Sequence, residues 1–176
     1  MALPAASGPL STADDRLIQT LADAAAFRTW CSAADQAEAL ARIHQDGLPS
    51  PAAETYTPAE LNTYRPFAIC WTEPDGGFRV EKDAVGGAVW EYRDGGRMAA
   101  YLEQQAPDLE PGPLARTVKN SIGDIIDDVL ALAGQAGYLA VKRLVVYGPY
   151  RSELVAETAQ DDAMAFYFDI VWGRAG

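Results

Sequence analysis

The sequence predicts an α+β fold: a mostly antiparallel or mixed β-sheet packed against one long helix, preceded by a helical pair. Three observations carry that prediction. First, Val118, Ile122, Ile125, Val129 and Leu132 recur at steps of four, three, four and three, which sets them on one face of a 3.6-residue helix. Ile126 and Ala133 widen the stripe, as a core-facing helix needs. Second, Tyr138 to Tyr147 is rich in β-branched and aromatic residues, the composition of a strand. Third, from Met164 to Trp172 apolar residues alternate at every second position. Met164, Phe166, Phe168, Ile170 and Trp172 share one face, and Ala165, Tyr167, Asp169 and Val171 share the other. The first set is expected to lie under the long helix. Pro113 suits that helix's first turn, where a missing N–H costs nothing. Gly134 or Gly137 suits its stop.

The remaining elements follow in chain order. Residues 1–11 are rich in Pro, Ala, Ser and Gly and are expected to form a flexible arm. They lack the basic region and long apolar run of a signal peptide. Thr12 is the expected N-cap of a first helix carrying Leu17, Ile18, Leu21, Ala24 and Ala25, with Phe27 and Trp30 continuing its face into a turn. Ser32 is expected to open a second helix, with Asp35 placed as in a capping box. Ala33, Ala37, Leu40, Ala41 and Ile43 form its apolar side, and Gly47 and Pro49 close it. The pair spans residues 12–46. From Leu48 to Tyr64 the chain carries Pro49, Pro51 and Pro58 and reads as a long connector, with one short helical turn opened by Thr57-Pro58-Ala-Glu60. Connectors of that length in compact domains are often interaction segments.

A sheet-and-helix core is expected over residues 65–173. Pro66 to Thr72 is a short apolar strand with proline at its first position. Pro74 to Gly77 is a turn. Phe78 and Val80 alternate with Arg79 and Glu81, and Gly86-Gly87 marks a bulge or bend. Ala88 to Arg93 alternates as a strand. Asp94-Gly95-Gly96 reads as a hairpin turn. The run from Arg97 to Gln105 has a helical composition, but its place after that turn predicts a returning strand. Pro107 to Pro113 is a loop. Gly148-Pro149 is expected to stop the strand that begins near Tyr138. Arg151 to Asp162 is a polar arm between two strands. The whole reads as one domain, residues 1–176, as its length allows.

Composition excludes several functions. Apolar residues make up 49% of the chain and charged ones 22%, and the formal net charge is −11. Phosphate binding needs clustered Lys and Arg, and anionic membrane surfaces repel an acidic protein. No apolar run reaches the ~20 residues that span a bilayer. Cys31 and Cys70 read as buried free thiols of a reducing compartment. His44 is the only histidine. It is placed at the end of the second helix, where a structural role is expected. A Ser-His-Asp or Cys-His nucleophile would have to use it, and no Gly-x-Ser-x-Gly elbow supports one. Zinc needs three or four ligands, and Cys31, His44 and Cys70 lack metal spacing. No phosphate-cradling glycine loop opens a helix. We therefore expect no catalytic set, no cofactor and no metal. Acidic residues cluster at Asp14/Asp15, Asp124/Asp127/Asp128 and Asp161/Asp162. The helix trio reads either as a solvated face or as an interface awaiting a basic partner. Tyr147, Tyr150 and Tyr167 are candidates for exposed aromatics.

The order of helices, β-meander, long helix and two closing strands carries a resemblance. So do the runs Val118-Lys-Asn-Ser-Ile-Gly-Asp-Ile-Ile126, Gly137-Tyr-Leu-Ala-Val141, Gly148-Pro-Tyr-Arg151 and Phe168-Asp-Ile-Val-Trp-Gly173. Over residues 65–173 the chain resembles tail terminator and tail-completion proteins of tailed bacteriophages, with neck and head–tail connector proteins beside them. The N-terminal helices have no counterpart in that likeness. The resemblance implies a structural protein and not an enzyme. It implies a homo-oligomeric ring, hexameric by that analogy, at the head-proximal end of the tail. Its partners would be the tail tube and neck proteins, with DNA only a passing polymer and no membrane. Its place would be the virion, after assembly in the host cytoplasm. Interface or lumen candidates are then Asp124, Asp127, Asp128, Tyr150, Arg151, Asp161 and Asp162, and the arms Leu48–Tyr64 and Arg151–Asp162. Acidic residues on a lumen would repel DNA. A small acidic adaptor for a basic partner is the reading from another class.

Overall fold

The computed structural model describes residues 9–72, 78–82, 88–92, 95–105, 113–159 and 161–173. The elements are α1 (Pro9–Asp23), α2 (Ala25–Trp30), α3 (Gln36–Leu40), β1 (Ile43–Gln45), α4 (Pro58–Leu61), β2 (Phe67–Thr72), β3 (Phe78–Lys82), β4 (Ala88–Tyr92), β5 (Gly95–Gln105), α5 (Pro113–Leu132), β6 (Val141–Tyr150) and β7 (Ala163–Gly173). The fold is α+β. A five-stranded sheet runs β1-β2-β5-β7-β6, and β3 and β4 form a separate two-stranded sheet. The large sheet is mixed, because β1 pairs parallel to β2 while β2, β5, β7 and β6 pair antiparallel.

The alternation of β7 places its residues as expected. Met164, Phe166, Phe168 and Ile170 are buried in one core cluster with Val118, Ile122, Ile125 and Val129 of α5. Burial of those four helix residues is worth roughly 6–12 kcal/mol before the entropy of ordering them. Leu17, Leu21 and Phe27 join the same cluster, so α1, α2 and α5 cover one face of the sheet. The ambiguous run after Gly96 is strand, and β5 pairs along its whole length with β7.

The opposite face carries a second cluster: Leu61, Phe67, Ile69, Tyr101 and Ala165, with Leu48, Tyr56, Tyr64, Leu154 and Val155 packed on it. These last five come from the two long connectors, which therefore fold back over the sheet. They also meet each other. Tyr56 and Val155 form an isolated parallel bridge, and the Tyr56 N–H donates to the Leu154 carbonyl at 3.1 Å. The short turn in the first connector is α4, whose Thr57 and Glu60 form a reciprocal capping box.

Several local expectations are corrected. α1 begins at Pro9, so Thr12 lies inside the helix; the rest of the expected arm, residues 1–8, lies outside the described residues. The helical pair is three helices. Ala24 is extended and separates α1 from α2, which puts Phe27 and Trp30 on a helix of their own. α3 is short, and its N-cap is Asp35, whose carboxylate accepts from the Glu38 N–H at 2.9 Å. Ser32 has φ +54°, a left-handed backbone that no helix start uses. Ala39 is buried, whereas Leu40 is 37% exposed, so the expected apolar side faces outward. Ile43 and His44 lie in β1, opposite Ala68 and Ile69. An available sheet edge and a β-branched residue outweigh helix continuation there.

Two glycine signals also read differently in three dimensions. Gly95 and Gly96 are inside β5, opposite Gly173 and Trp172. A Cβ at Gly95 would lie 2.5 Å from the Trp172 carbonyl oxygen, so this glycine serves close approach of two strands. Gly148 and Pro149 do not stop β6. The ladder shifts register between Tyr147 and Tyr150 and resumes opposite Ala165. β6 is an edge strand, where proline is tolerated. The expected turns at Pro74–Gly77 and Gly86-Gly87 and the loop before Pro113 lie outside the described residues.

Candidate functional site

The densest polar arrangement was not anticipated from sequence. Arg65 lies at the end of the first connector, with its side chain 1% exposed. Its Nε donates to Glu103 at 2.7 Å. One terminal nitrogen donates to Asn62 at 2.8 Å and Asp161 at 2.7 Å. The other meets Asp161 and Glu103, each at 2.5 Å. Four guanidinium N–H groups thus have hydrogen-bond partners, and the same group is ion-paired to Glu103. Tyr101 donates to the second Glu103 oxygen at 2.5 Å. Burial works against the Arg65 charge, but Asp161 and Glu103 more than offset it and hold its pKa above the ordinary value. Burial and the neighbouring Glu103 push the Tyr101 hydroxyl far up, so it stays protonated and donates. The cluster joins both connectors to β5. Its only sequence signal is Glu103, a charge on the strand face shared with Tyr101.

The structure distributes the seven interface candidates. Asp124 and Asp127 are exposed on α5. Asp128 turns inward and accepts the Ala26 N–H at 2.7 Å. It caps α2, whose own preceding residue supplies no side-chain cap. Asp161 is the bidentate partner of Arg65, with a side chain 6% exposed. Asp162, Tyr150 and Arg151 are exposed. Of the other acidic pair, Asp14 accepts from Thr72 at 2.6 Å and Gln45 at 3.3 Å, tying α1 to two strands. Burial raises its pKa, and the Thr72 hydrogen bond opposes that.

Cys31 and His44 do line one cavity of about 500 Å³, together with Glu38, Arg42, Thr63 and Tyr64. Their chemistry is that of packed groups. The Cys31 thiol donates to the Arg28 carbonyl at 3.6 Å, and burial raises its pKa. A nucleophilic thiol needs the opposite shift. Burial, helped by the Arg42 charge, lowers the His44 pKa. Its ring meets Tyr64 and Phe67 edge-on, with centroids 5.9 and 6.3 Å apart. Both cysteines are free and buried. Cys70 is wholly enclosed, and burial holds its thiol far above the ordinary value. Among the described residues no group of three His, Cys, Asp or Glu could hold a metal.

Beyond the connectors, the sheet face opposite α5 carries a row of rings. Trp71 and Tyr167 have centroids 5.8 Å apart, and Tyr167 and Tyr147 6.1 Å. Tyr147 stands directly across from Tyr167, the geometry of a cross-strand pair. Beside the row, Asp169 is buried at 5% exposure and bonds both Arg97 at 3.1 Å and Arg143 at 3.4 Å. Tyr147 and Tyr150 are nearly half exposed. Compared with protein-family models and with curated proteins, the chain matches none. Among the described residues no helix is long and apolar enough to cross a membrane.

Proposed function

We propose that this chain is a structural protein of a tailed phage or phage-like particle, which assembles as a ring at the head-proximal end of the tail and joins tail to neck. The observation that carries the reading is the Arg65–Glu103–Asp161 cluster. It ties two long connectors to a sheet–helix core, and its charged groups are paired with one another. Such an internally paired set suits a part that holds shape in an assembly. The layout of β2, β5, β7 and β6 with α5 on one face agrees with the resemblance of residues 65–173. A neck or head–tail connector position is the neighbouring reading. A small acidic adaptor is the other, favoured by the exposed Asp124 and Asp127. The test is co-sedimentation with tail tubes, alongside imaging of the purified protein by electron microscopy. Ring-shaped particles that cap tubes at one end support the proposal. A protein that ignores tubes and neck proteins, yet retains a basic cellular protein, supports the adaptor.

A further inference from the structure

The cavity of about 500 Å³ beside β1 brings together a cation with no counter-ion and a ring with no hydrogen-bond partner. Arg42 immediately precedes β1, and its carbonyl accepts the Ala68 N–H at 2.9 Å, so it continues the ladder with β2. Alternate residues of an extended chain share a face. Ile43 packs on the core and Gln45 bonds Asp14. Arg42 and His44 therefore share the other face, and both line the cavity. One terminal nitrogen of Arg42 donates to the Tyr64 carbonyl at 3.2 Å, which steadies the guanidinium. Among the described residues its side chain makes no other hydrogen bond and no ion pair. In a chain with 25 acidic residues against 14 basic ones, a partly buried arginine without a carboxylate is unusual. The His44 ring meets Tyr64 and Phe67, but among the described residues neither of its nitrogens has a hydrogen-bond partner. The rim is open, since Ser32, Glu38, Ala41 and Thr63 are exposed.

From this we infer that the cavity binds a small organic monocarboxylate, its carboxylate on the Arg42 guanidinium and the His44 N–H, its apolar body against Ala33, Ala41 and Tyr64. The volume falls within the range of about 300–1,000 Å³ usual for small-molecule sites. A guanidinium presents a planar fork that fits a carboxylate through two parallel hydrogen bonds. Charge decides the class. Glu38 lines the same cavity, where its carboxylate accepts the Ala34 N–H at 2.8 Å. His44 is neutral at pH 7, because burial and the Arg42 charge lower its pKa. It therefore offers one N–H and no second positive charge. One guanidinium balances one negative charge. A phosphate monoester carries close to two (about −1.5 to −2) and would turn its excess towards Glu38. The site is one of binding and not of catalysis, and it stands whether or not the chain assembles.

His44 is the only histidine, so its ring signals in an NMR spectrum report on the site without assignment of the rest. The full chain is titrated at neutral pH with sodium benzoate, sodium acetate, phenyl phosphate and, at matched ionic strength, sodium chloride. Calorimetry reads affinity and stoichiometry. Benzoate should bind at one site and shift the His44 signals to saturation. Acetate, the same head without the body, should bind more weakly, and chloride should leave the signals in place. Arg42→Gln should weaken benzoate about ten- to a hundredfold, the worth of a charged hydrogen bond. Ala41→Phe keeps the arginine, fills the cavity from an exposed position, and should abolish binding. Arg116→Gln, at an exposed position on α5, should bind as wild type does. Melting temperatures check that each variant folds, and if Arg42→Gln does not, Ala41→Phe decides alone. No saturable shift with benzoate or acetate overturns the proposal, as does unchanged binding in Arg42→Gln and Ala41→Phe. An equal shift with chloride would show screening and no site. Tighter binding of phenyl phosphate than of benzoate would overturn the monocarboxylate assignment.

Discussion

Replacing Arg65 by Met should be among the most damaging single substitutions. Methionine matches the apolar stem only as far as Nε, and every hydrogen bond of the guanidinium is lost. Glu103 and Asp161, at 0% and 6% side-chain exposure, are left as neighbouring carboxylates without a counter-charge. Breaking a buried pair by removing one partner costs about 3–5 kcal/mol. For a chain of this length that is a melting-point loss of roughly 6–20 °C, at about 2–4 °C per kcal/mol. Urea unfolding should show a lower midpoint at unchanged slope. Arg65→Lys should fall between, because an ammonium keeps the charge but cannot form the fork. The triple change Arg65→Met/Glu103→Met/Asp161→Leu should recover most of the loss, since well-packed apolar replacements of a buried ion set are often neutral or stabilising. An Arg65→Met loss below about 1 kcal/mol, or a triple variant as damaged as the single, would refute the reasoning.

Other outcomes follow from single contacts. Asp128→Ala should cost about 0.5–2 kcal/mol by uncapping α2, whereas Asp124→Ala and Asp127→Ala should stay within about 0.5 kcal/mol as surface changes; equal effects at all three would remove the capping role. His44, with a folded pKa below its ordinary 6.5, binds fewer protons folded than unfolded. Its contribution is therefore complete above that value and declines as pH falls below it. Urea midpoints from pH 7.5 to 5.5 should drop less for His44→Asn than for wild type, and parallel curves would contradict this. Gly148→Ala should destabilise by about 1–3 kcal/mol, because φ there is +128° and the new Cβ would meet the Ala165 carbonyl at 2.8 Å; thermal melting decides it. Cys31 and Cys70 should resist a thiol-disulfide dye at pH 8 until the chain unfolds, and rapid stoichiometric labelling of the native protein would count against their burial.

What could be read in advance follows the range of the interactions involved. The α5 stripe and the β7 alternation are set by residues within a few positions of each other, so Val118 to Val129 and Met164 to Ile170 found their places. The capping box at Thr57 is local and was legible for the same reason. The break at Ala24 was not, because its cap comes from Asp128, 102 positions from Ala26. Ile43 and His44 took strand geometry only because β2 offers an edge. Gly95 looks like a turn residue until Trp172 is brought against it. Asp161 in sequence is one more acid in a polar arm. Only the fold reveals that Arg65, 96 positions away, has removed it from the surface.

That removal changes how the connectors should be understood. Long polar segments that order only on assembly take on their conformational entropy at that moment, which weakens the contact they make. Here the connectors are held before any partner arrives. Leu48, Tyr56, Tyr64, Leu154 and Val155 pack on the sheet, and Arg65 locks Asn62 and Asp161 onto β5. The entropy of fixing them belongs to folding. In the proposed assembly a partner would meet a formed surface, and the same cluster would set both the stability of the protomer and the shape it presents. If the chain assembles as proposed, weakening Arg65 should loosen that assembly even though Arg65, with its side chain 1% exposed, is buried too deeply to touch a neighbour.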